Sequence, residues 1–399
     1  MLLGIIGKPN CGKSTFFKAA TLAEVLIANY PFATIKPNHA VAYVKVPCID
    51  VEFKTQCMPR TGFCLNHIRF VPVDLMDVAG LVPGASQGKG LGNQFLDDLR
   101  QADCFIQVID ASGGTTIEGK PCEPGTHNPI EDIEFLENEL DLWYLGILNK
   151  VWRTFARTLA VTKEPGGFEK GVAKQFSGLK IDEEMVKKVL RQTKVNVEKV
   201  TSWKEDELLV FARALRILSK PMIIAANKCD FPQSEENIRK IKEKYPTYLV
   251  IPCSGDSELA LRSAAKAGII DYIPGEKDFK LKKEINPKQK EALENIKKNV
   301  LQKYEFGTGV QHVLDIAIFN LLKYIAIFPA GVNKLADSKG NILPDCYLLR
   351  EGSTALDFAF SLHTDIGKNF VKAIDARTGK AVGKDYKLKH RDALEIAVR

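Results

Sequence analysis

The stretch Gly7-Lys8-Pro9-Asn10-Cys11-Gly12-Lys13-Ser14 has the glycine, lysine and hydroxyl spacing that suits a phosphate. Successive backbone N–H groups in a glycine-permitted loop can wrap an anion at a helix N-terminus, where the helix dipole also favours negative charge. Asn10, Cys11, Gly12, Lys13, Ser14 and Thr15 are the expected contacts. Lys13 would reach the β- and γ-phosphates and Ser14 would hold Mg²⁺.

Two further motifs follow in order. Asp77-Val78-Ala79-Gly80 closes a strand-like run, where an Asp can hold Mg²⁺ through water and the Gly80 N–H can sense a γ-phosphate. Alone, such a turn is an ordinary strand ending; between a phosphate loop and a base-reading motif it acquires meaning. Asn227-Lys228-Cys229-Asp230 is that base-reading pattern. Asp230 would accept two hydrogen bonds, from the ring N–H and the exocyclic amine of guanine. Adenine offers no matching donors, so the buried charge would be left unpaired and GTP is expected over ATP. Ser254, in Pro252-Cys253-Ser254-Gly255, is the expected support for the base.

The elements that must carry these motifs are legible as apolar runs with turn signals behind them: Leu2 to Ile6, Ile68 to Met76, Cys104 to Ile109, Pro221 to Ala226 and Tyr248 to Ile251. Helical patterns lie between, which predicts an α/β fold with a mainly parallel sheet covered on both faces. Ligands bind at the carboxyl ends of such strands, and four of the five runs end in a nucleotide motif. The interval from Asp110 to Asn227 is too long for one crossover. A Gly-, Pro- and Thr-rich loop (Ser112 to Pro129) leads into helical periodicity with apolar Ile133, Leu136, Leu140, Trp143, Tyr144 and Ile147. The expected organisation is a P-loop domain over 1–128 and 219–328, an inserted helical subdomain over 129–218, and a small β-rich domain over 329–399.

Composition excludes several classes. With 399 residues, 45% hydrophobic and 26% charged, the chain has the balance of an ordinary globular protein. The most apolar stretch, Val313 to Phe328, is interrupted by Asp315, Asn320 and Lys323, short of the roughly 20 apolar residues a bilayer needs; it reads as a buried helix. Met1 to Ile6 lack a basic region and are too short for a secretory signal, so a cytoplasmic location with no membrane partner is expected. The nine cysteines form no CxxC pair, and Cys11, Cys104, Cys229 and Cys253 fall in or beside motifs and strands. Free thiols are expected in preference to disulfides or a zinc site. The net charge of +7 is uneven: Lys150 to Lys199 holds 12 Lys/Arg against 6 Asp/Glu, and Lys368 to Arg399 holds 9 against 4. A polyanionic partner such as RNA, or merely a solvated helical face and a basic tail, fits those segments.

Taken together, Gly7 to Thr15, Asn29-Tyr30-Pro31-Phe32-Ala33-Thr34-Ile35-Lys36-Pro37-Asn38, and the run DVAGLVPGASQGKGLG from Asp77 to Gly92 resemble the Obg-related GTPases, in the branch that includes YchF and its archaeal relatives. The resemblance spans essentially the whole chain. It implies that Thr34 is the switch threonine, coordinating Mg²⁺ and touching the γ-phosphate, and that Lys13, Thr34 and Gly80 serve hydrolysis. It also makes Asp77 to Gly92 a second switch, loosened by Gly84, Gly88, Gly90 and Gly92. The C-terminal part, through Leu343-Pro344, Arg350 to Thr354, Asp357-Phe358-Ala359, Leu362 to Gly367 and Leu388 to Val398, resembles a TGS domain. That is a ubiquitin-like β-grasp module, and the resemblance implies RNA or ribosome contact. His363, a lone histidine among turn residues, reads as structural.

Two departures qualify these implications. YchF-type proteins carry a base motif ending in Glu and look ATP-preferring, whereas this chain keeps Asp230. Leu81 stands where Ras-type sites have the Gln that orients water, so intrinsic hydrolysis is expected to be slow, the missing group coming from a partner, a switch rearrangement or an ion. Asn10 resembles the potassium-coordinating Asn of cation-activated GTPases, and K⁺ there could neutralise developing charge; bonding within its own turn is the alternative. The expected function is a regulatory GTPase acting on ribosome or RNA, its oligomeric state open with a monomer favoured. A nucleotide-dependent RNA- or ribosome-binding scaffold with little or no turnover, accepting GTP or ATP, is the alternative, and a P-loop kinase or synthetase is disfavoured by the base motif, the ordered switches and the lack of a visible acceptor site.

Overall fold

A computed structural model describes residues 1–21, 39–78, 80, 84, 100–162, 164–332 and 334–399. Thr34, Ala79, Leu81 and the glycines Gly88, Gly90 and Gly92 lie outside the described residues, as does the Asn29 to Asn38 segment.

The phosphate-loop strand β1 (Leu2–Ile6) sits mid-sheet, parallel to β4 (Ile68–Asp77) on one side and β5 (Cys104–Asp110) on the other. The sheet continues through β6 (Met222–Asn227) and β7 (Val250–Pro252), both parallel, while β2 (His39–Pro47) and the short β3 (Phe63–Leu65) run antiparallel to β4, with β2 at the far edge, and β8 (Ile270–Asp271) and β9 (Lys280–Leu281) form a separate antiparallel pair. Every residue of β5 and β6 is buried, as expected for parallel strands covered on both faces. Alternate residues of β1 feed opposite layers. Leu3 and Ile5 pack with Phe16 and Ala19 of α1 (Lys13–Thr21), and Ile6 packs with Leu136 and Leu140 of α2 (Pro129–Asn149).

The segment after β5 is helical. Asn128 caps α2, accepting from the Ile130 N–H, and Pro129 takes the first helical position, where no N–H is needed. α3 (Trp152–Thr162), α4 (Gly167–Gln175), α5 (Glu183–Thr193) and α6 (Glu205–Ser219) follow. They close around Trp152, Phe168, Trp203 and Phe211, whose rings pack 5.2 to 6.3 Å apart. Asp141 of α2 pairs with Arg216 of α6 at 2.9 Å, both buried. α7 (Ser234–Lys244) follows β6, and α8 (Gly255–Lys266) follows β7.

The expected buried helix over Val313 to Phe328 is corrected. The helical run from α9 (Val310–Ile316) stops near Leu321, and Tyr324–Pro329 is strand β10. Lys323, at φ +55°, makes the break. β10 lies inside the C-terminal sheet, between β11 (Tyr347–Arg350) and β14 (Ala393–Val398), which continues into β12 (Phe370–Asp375) and β13 (Ala381–Val382). α10 (Ala355–Leu362), closed at its start by a Thr354/Asp357 capping box, buries Phe358 among Ile325, Ile327, Leu388 and Leu394. This is a β-grasp arrangement. Its other face, through Ala326, Phe328 and Leu343, is continuous with the core of the first sheet. Among the described residues no helix is long and apolar enough to cross a membrane.

Candidate functional site

At the carboxyl end of β1 the chain turns through Gly7, where an added Cβ would stand 2.4 Å from the Val108 carbonyl oxygen. Gly12, at φ +96°, leaves no room for a Cβ either, since one would meet Asn227 Nδ2 at 2.1 Å. The sequence therefore needs glycine at both positions to bring the loop against its neighbours. The first N–H groups of α1 lack intrahelical acceptors and are available to a ligand.

Lys13 lies back over the loop, its Nζ donating to the Lys8 carbonyl at 2.8 Å. Ser14 Oγ donates to Asp77 Oδ2 at 3.1 Å. The second oxygen, Asp77 Oδ1, is buried without a hydrogen-bond partner among the described residues, and burial raises the Asp77 pKa, opposed by Ser14 and Lys13. An orphaned carboxylate oxygen beside a hydroxyl is a donor set that fits a divalent cation such as Mg²⁺, which would discharge that burial cost. Pro9, Asn10, Lys13, Ser14, Asp77, Val78 and Gly80 line one opening of about 380 Å³. A Cβ on Gly80 would come within 3.2 Å of Pro9 and of Lys13 Nζ. A roomier cleft of about 770 Å³ lies among Trp152, Arg153, Arg157 and Trp203 in the helical segment, away from every nucleotide motif.

The base-reading motif begins where β6 ends. Asn227 Nδ2 donates to the Cys11 carbonyl at 3.1 Å, and its Oδ1 accepts from the Gly255 N–H at 2.9 Å. Lys228, at φ +60°, extends to Asp110 Oδ2 at 2.7 Å. Burial raises the Asp110 pKa, but Lys228 and Ser112 outweigh it and hold the carboxyl below its ordinary value. Asp230 is exposed, and no protein group among the described residues takes up its carboxylate. Ser254 is buried and caps α8, its hydroxyl meeting Ser257 Oγ at 2.8 Å; its side chain is spent on the helix, and the neighbouring Gly255 N–H is what reaches the motif. Thr15 sits half-buried on α1, and Cys11 is buried beneath the loop.

Asn10, at φ +59°, donates its Nδ2 to the Gly119 carbonyl at 2.8 Å. The alternative of a bond within its own turn gives way to a bond with the loop after β5, and no protein group among the described residues engages Oδ1. Residues that sequence reasoning missed surround the same loop. Lys8 is buried, pairing with Asp132 of α2 at 2.9 Å and donating to the Thr115 carbonyl at 2.7 Å. His127 Nε2 holds the other Asp132 oxygen at 2.7 Å. Asp110 was legible as an Asp closing a strand, like Asp77; the Lys8 partner carried no sequence signal.

Comparison with known proteins agrees with this geometry. Residues 2–141 match a family described as 50S ribosome-binding GTPase, residues 225–331 the Obg-like GTPase YGR210-like, G4 motif-containing domain, and residues 336–398 the TGS domain. A GTP-binding protein of Methanocaldococcus jannaschii is 47% identical over 398 residues, covering 99% of this chain and 98% of that protein. The ribosome-binding ATPase YchF of Buchnera aphidicola is 27% identical, with 93% and 86% covered. A solved GTP-binding protein from Pyrococcus horikoshii OT3 superposes with TM-score 0.78 at 38% identity over the full length of both chains.

Proposed function

The chain belongs to the Obg-like GTPase family, and from that premise we propose that it is a GTP-selective, slowly hydrolysing switch whose nucleotide state governs contact with ribosome or RNA. The observation that carries GTP selectivity is the arrangement around Asn227. Its amide bonds both to the phosphate loop and to Gly255, and Asp230, three residues on, keeps its carboxylate exposed, which supports a base-reading role. A carboxylate that meets the base would pair with the adjacent ring N–H and amine of guanine, a donor pair that adenine lacks.

Lys13, Ser14 and Asp77 are the residues that would hold the phosphates and Mg²⁺; the cation, when bound, supplies neutralisation of phosphate charge. The chain's own part is to orient. Lys13 leaves the Lys8 carbonyl for a phosphate oxygen, Gly80 lets the strand end approach the loop, and Thr34 completes the switch. Asn10 Oδ1 is a candidate K⁺ ligand. The basic runs, the β-grasp domain and the similarity to the ribosome-binding ATPase YchF support contact with ribosome or RNA.

The test is equilibrium binding of fluorescent GTP and ATP analogues with Mg²⁺, in K⁺ and in Na⁺, followed by hydrolysis in the same buffers. Strong GTP preference with slow, K⁺-stimulated turnover is expected. Leu81 favours a second reading, a nucleotide-dependent scaffold, and relatives named ATPases favour acceptance of ATP. Equal binding of both nucleotides without turnover would select it.

A further inference from the structure

Three of the nine cysteines, spaced as Cys48-x8-Cys57-x6-Cys64, are brought together by the excursion between β2 and β4. All nine are free, in line with the expectation of free thiols, but these three converge. The Cys48 thiol donates to Cys57 Sγ at 3.5 Å, and Cys64 Sγ stands 4.0 Å from Asp50 Oδ2. One ligand atom from each of Cys48, Asp50, Cys57 and Cys64 lies within 4.8 Å of all the others. Bonds of about 2.3 Å from a tetrahedral Zn²⁺ to sulfur place ligand sulfurs about 3.8 Å apart, which is the scale of this cluster. A disulfide needs about 2 Å.

The surroundings are built for an anionic centre. Asp50 is fully buried, yet no Lys or Arg pairs with it among the described residues; His67 Nδ1 contacts Oδ1 at 3.0 Å, and the Cys57 N–H donates to Oδ2 at 3.1 Å. Oδ2 faces Cys64 Sγ while also accepting at 3.5 Å from Gln56 Nε2, and Oδ1 is held from behind by His67, so the carboxylate stands beside the thiols with outer support. Arg69 is 1% exposed, donates to the carbonyls of Leu343 and Pro344 at 3.1 and 2.7 Å, and leaves Nε without an acceptor. A buried guanidinium needs a counter-charge.

We propose that Cys48, Cys57, Cys64 and Asp50 form a structural site for a thiophilic divalent cation, Zn²⁺, that stiffens the platform on which the C-terminal domain docks. The platform role follows from the neighbours. The Met58 and Arg60 N–H groups donate to the carbonyls of Ile342 and Pro344 at 2.8 and 3.0 Å, and Glu52 receives Arg377 and Arg391 of the β-grasp domain. Three thiolates and one carboxylate are a soft, closed set, suited to Zn²⁺ and not to Mg²⁺.

The test uses the full-length chain purified under reducing conditions, without nucleotide and with excess Mg²⁺. Metal analysis is expected to find one zinc per chain. Chelator-stripped wild type titrated with Co²⁺ alone is expected to develop thiolate-to-cobalt charge transfer and tetrahedral d–d bands. Cys64→Ser is expected to lower metal retention at least tenfold, Cys122→Ser to leave it unchanged, and stripping to increase protease cleavage between residues 48 and 67. Wild type that holds no zinc and gives no cobalt–thiolate bands, or that is isolated with a Cys48–Cys57 disulfide, overturns the site whatever the variants do.

Discussion

Asn227 Nδ2 donates to the backbone carbonyl of Cys11 at 3.1 Å, so the strand end that reads the base is tied to the loop that holds the phosphates. The same amide accepts from Gly255, and one side chain thereby sets the relative placement of three motifs. Asn227→Asp separates the two bonds: the carboxylate can still accept from Gly255 but cannot donate to Cys11, and it brings negative charge toward the phosphates. Leaving such a buried carbonyl unsatisfied costs about 1–3 kcal/mol, so GTP affinity should fall roughly tenfold to a hundredfold. Titration with a fluorescent GTP analogue checks this; unchanged affinity would show that the bridge does not align the site.

Asp230 and Lys13 divide recognition between base and phosphate. Asp230→Asn should narrow the GTP-over-ATP ratio by at least about tenfold, because one carboxylate acceptor becomes a donor facing a donor. Lys13→Ala should abolish triphosphate binding for both nucleotides. Competition titrations with GTP, GDP and ATP separate the two effects, and GTP affinity unchanged in both variants would overturn the assignment.

The pair Lys8–Asp132 links the phosphate loop to α2, with both side chains at most 3% exposed. Lys8→Met removes one charge and leaves Asp132 with His127 alone. Breaking a buried pair from one side costs about 3–5 kcal/mol, and a loss of that size should appear in urea unfolding at neutral pH. Lys8→Met combined with Asp132→Leu should recover most of it, since neither change then strands a charge. A single variant as stable as wild type would show that His127 suffices for Asp132.

The outlines of fold and site were legible where local chemistry dictates them. β5 and β6 are buried on both faces, so they stand in the sequence as continuous apolar runs that end in Asp110 and Asn227. β10 is not separable in the sequence because Val313 to Phe328 is predominantly apolar throughout, and periodicity alone cannot separate a buried helix from a buried strand; of its three polar interruptions, Lys323 at positive φ is the one that breaks the chain direction. Lys8–Asp132 and the Cys48, Cys57, Cys64 cluster depend on partners that only the tertiary fold brings near. Ser254, expected from its motif position to support the base, also caps α8 through its hydroxyl, a helix-start role that the motif alone does not announce.

Asp315 of α9 supplies a pH-dependent test of the core. Burial raises its carboxyl to about 6, against the opposing pull of the Lys45 N–H, Gln311 and the Lys45 and Arg262 charges. The unfolded chain ionises the same group near about 3.9. Between those values the folded state keeps a proton that the unfolded state has released, so this group's contribution to stability falls as pH rises through about 4 to 6. Both hydrogen bonds, from Lys45 N at 2.8 Å and Gln311 Nε2 at 3.0 Å, go to Oδ1, and an asparagine carbonyl can accept both. Asp315→Asn should therefore stabilise the protein at pH 7 by about 1–3 kcal/mol and flatten the stability profile between pH 4 and 6. Urea unfolding at pH 4.5 and 7.5 measures this. A variant less stable than wild type at pH 7.5 would show that the Lys45 and Arg262 charges already offset the burial of a charged Asp315.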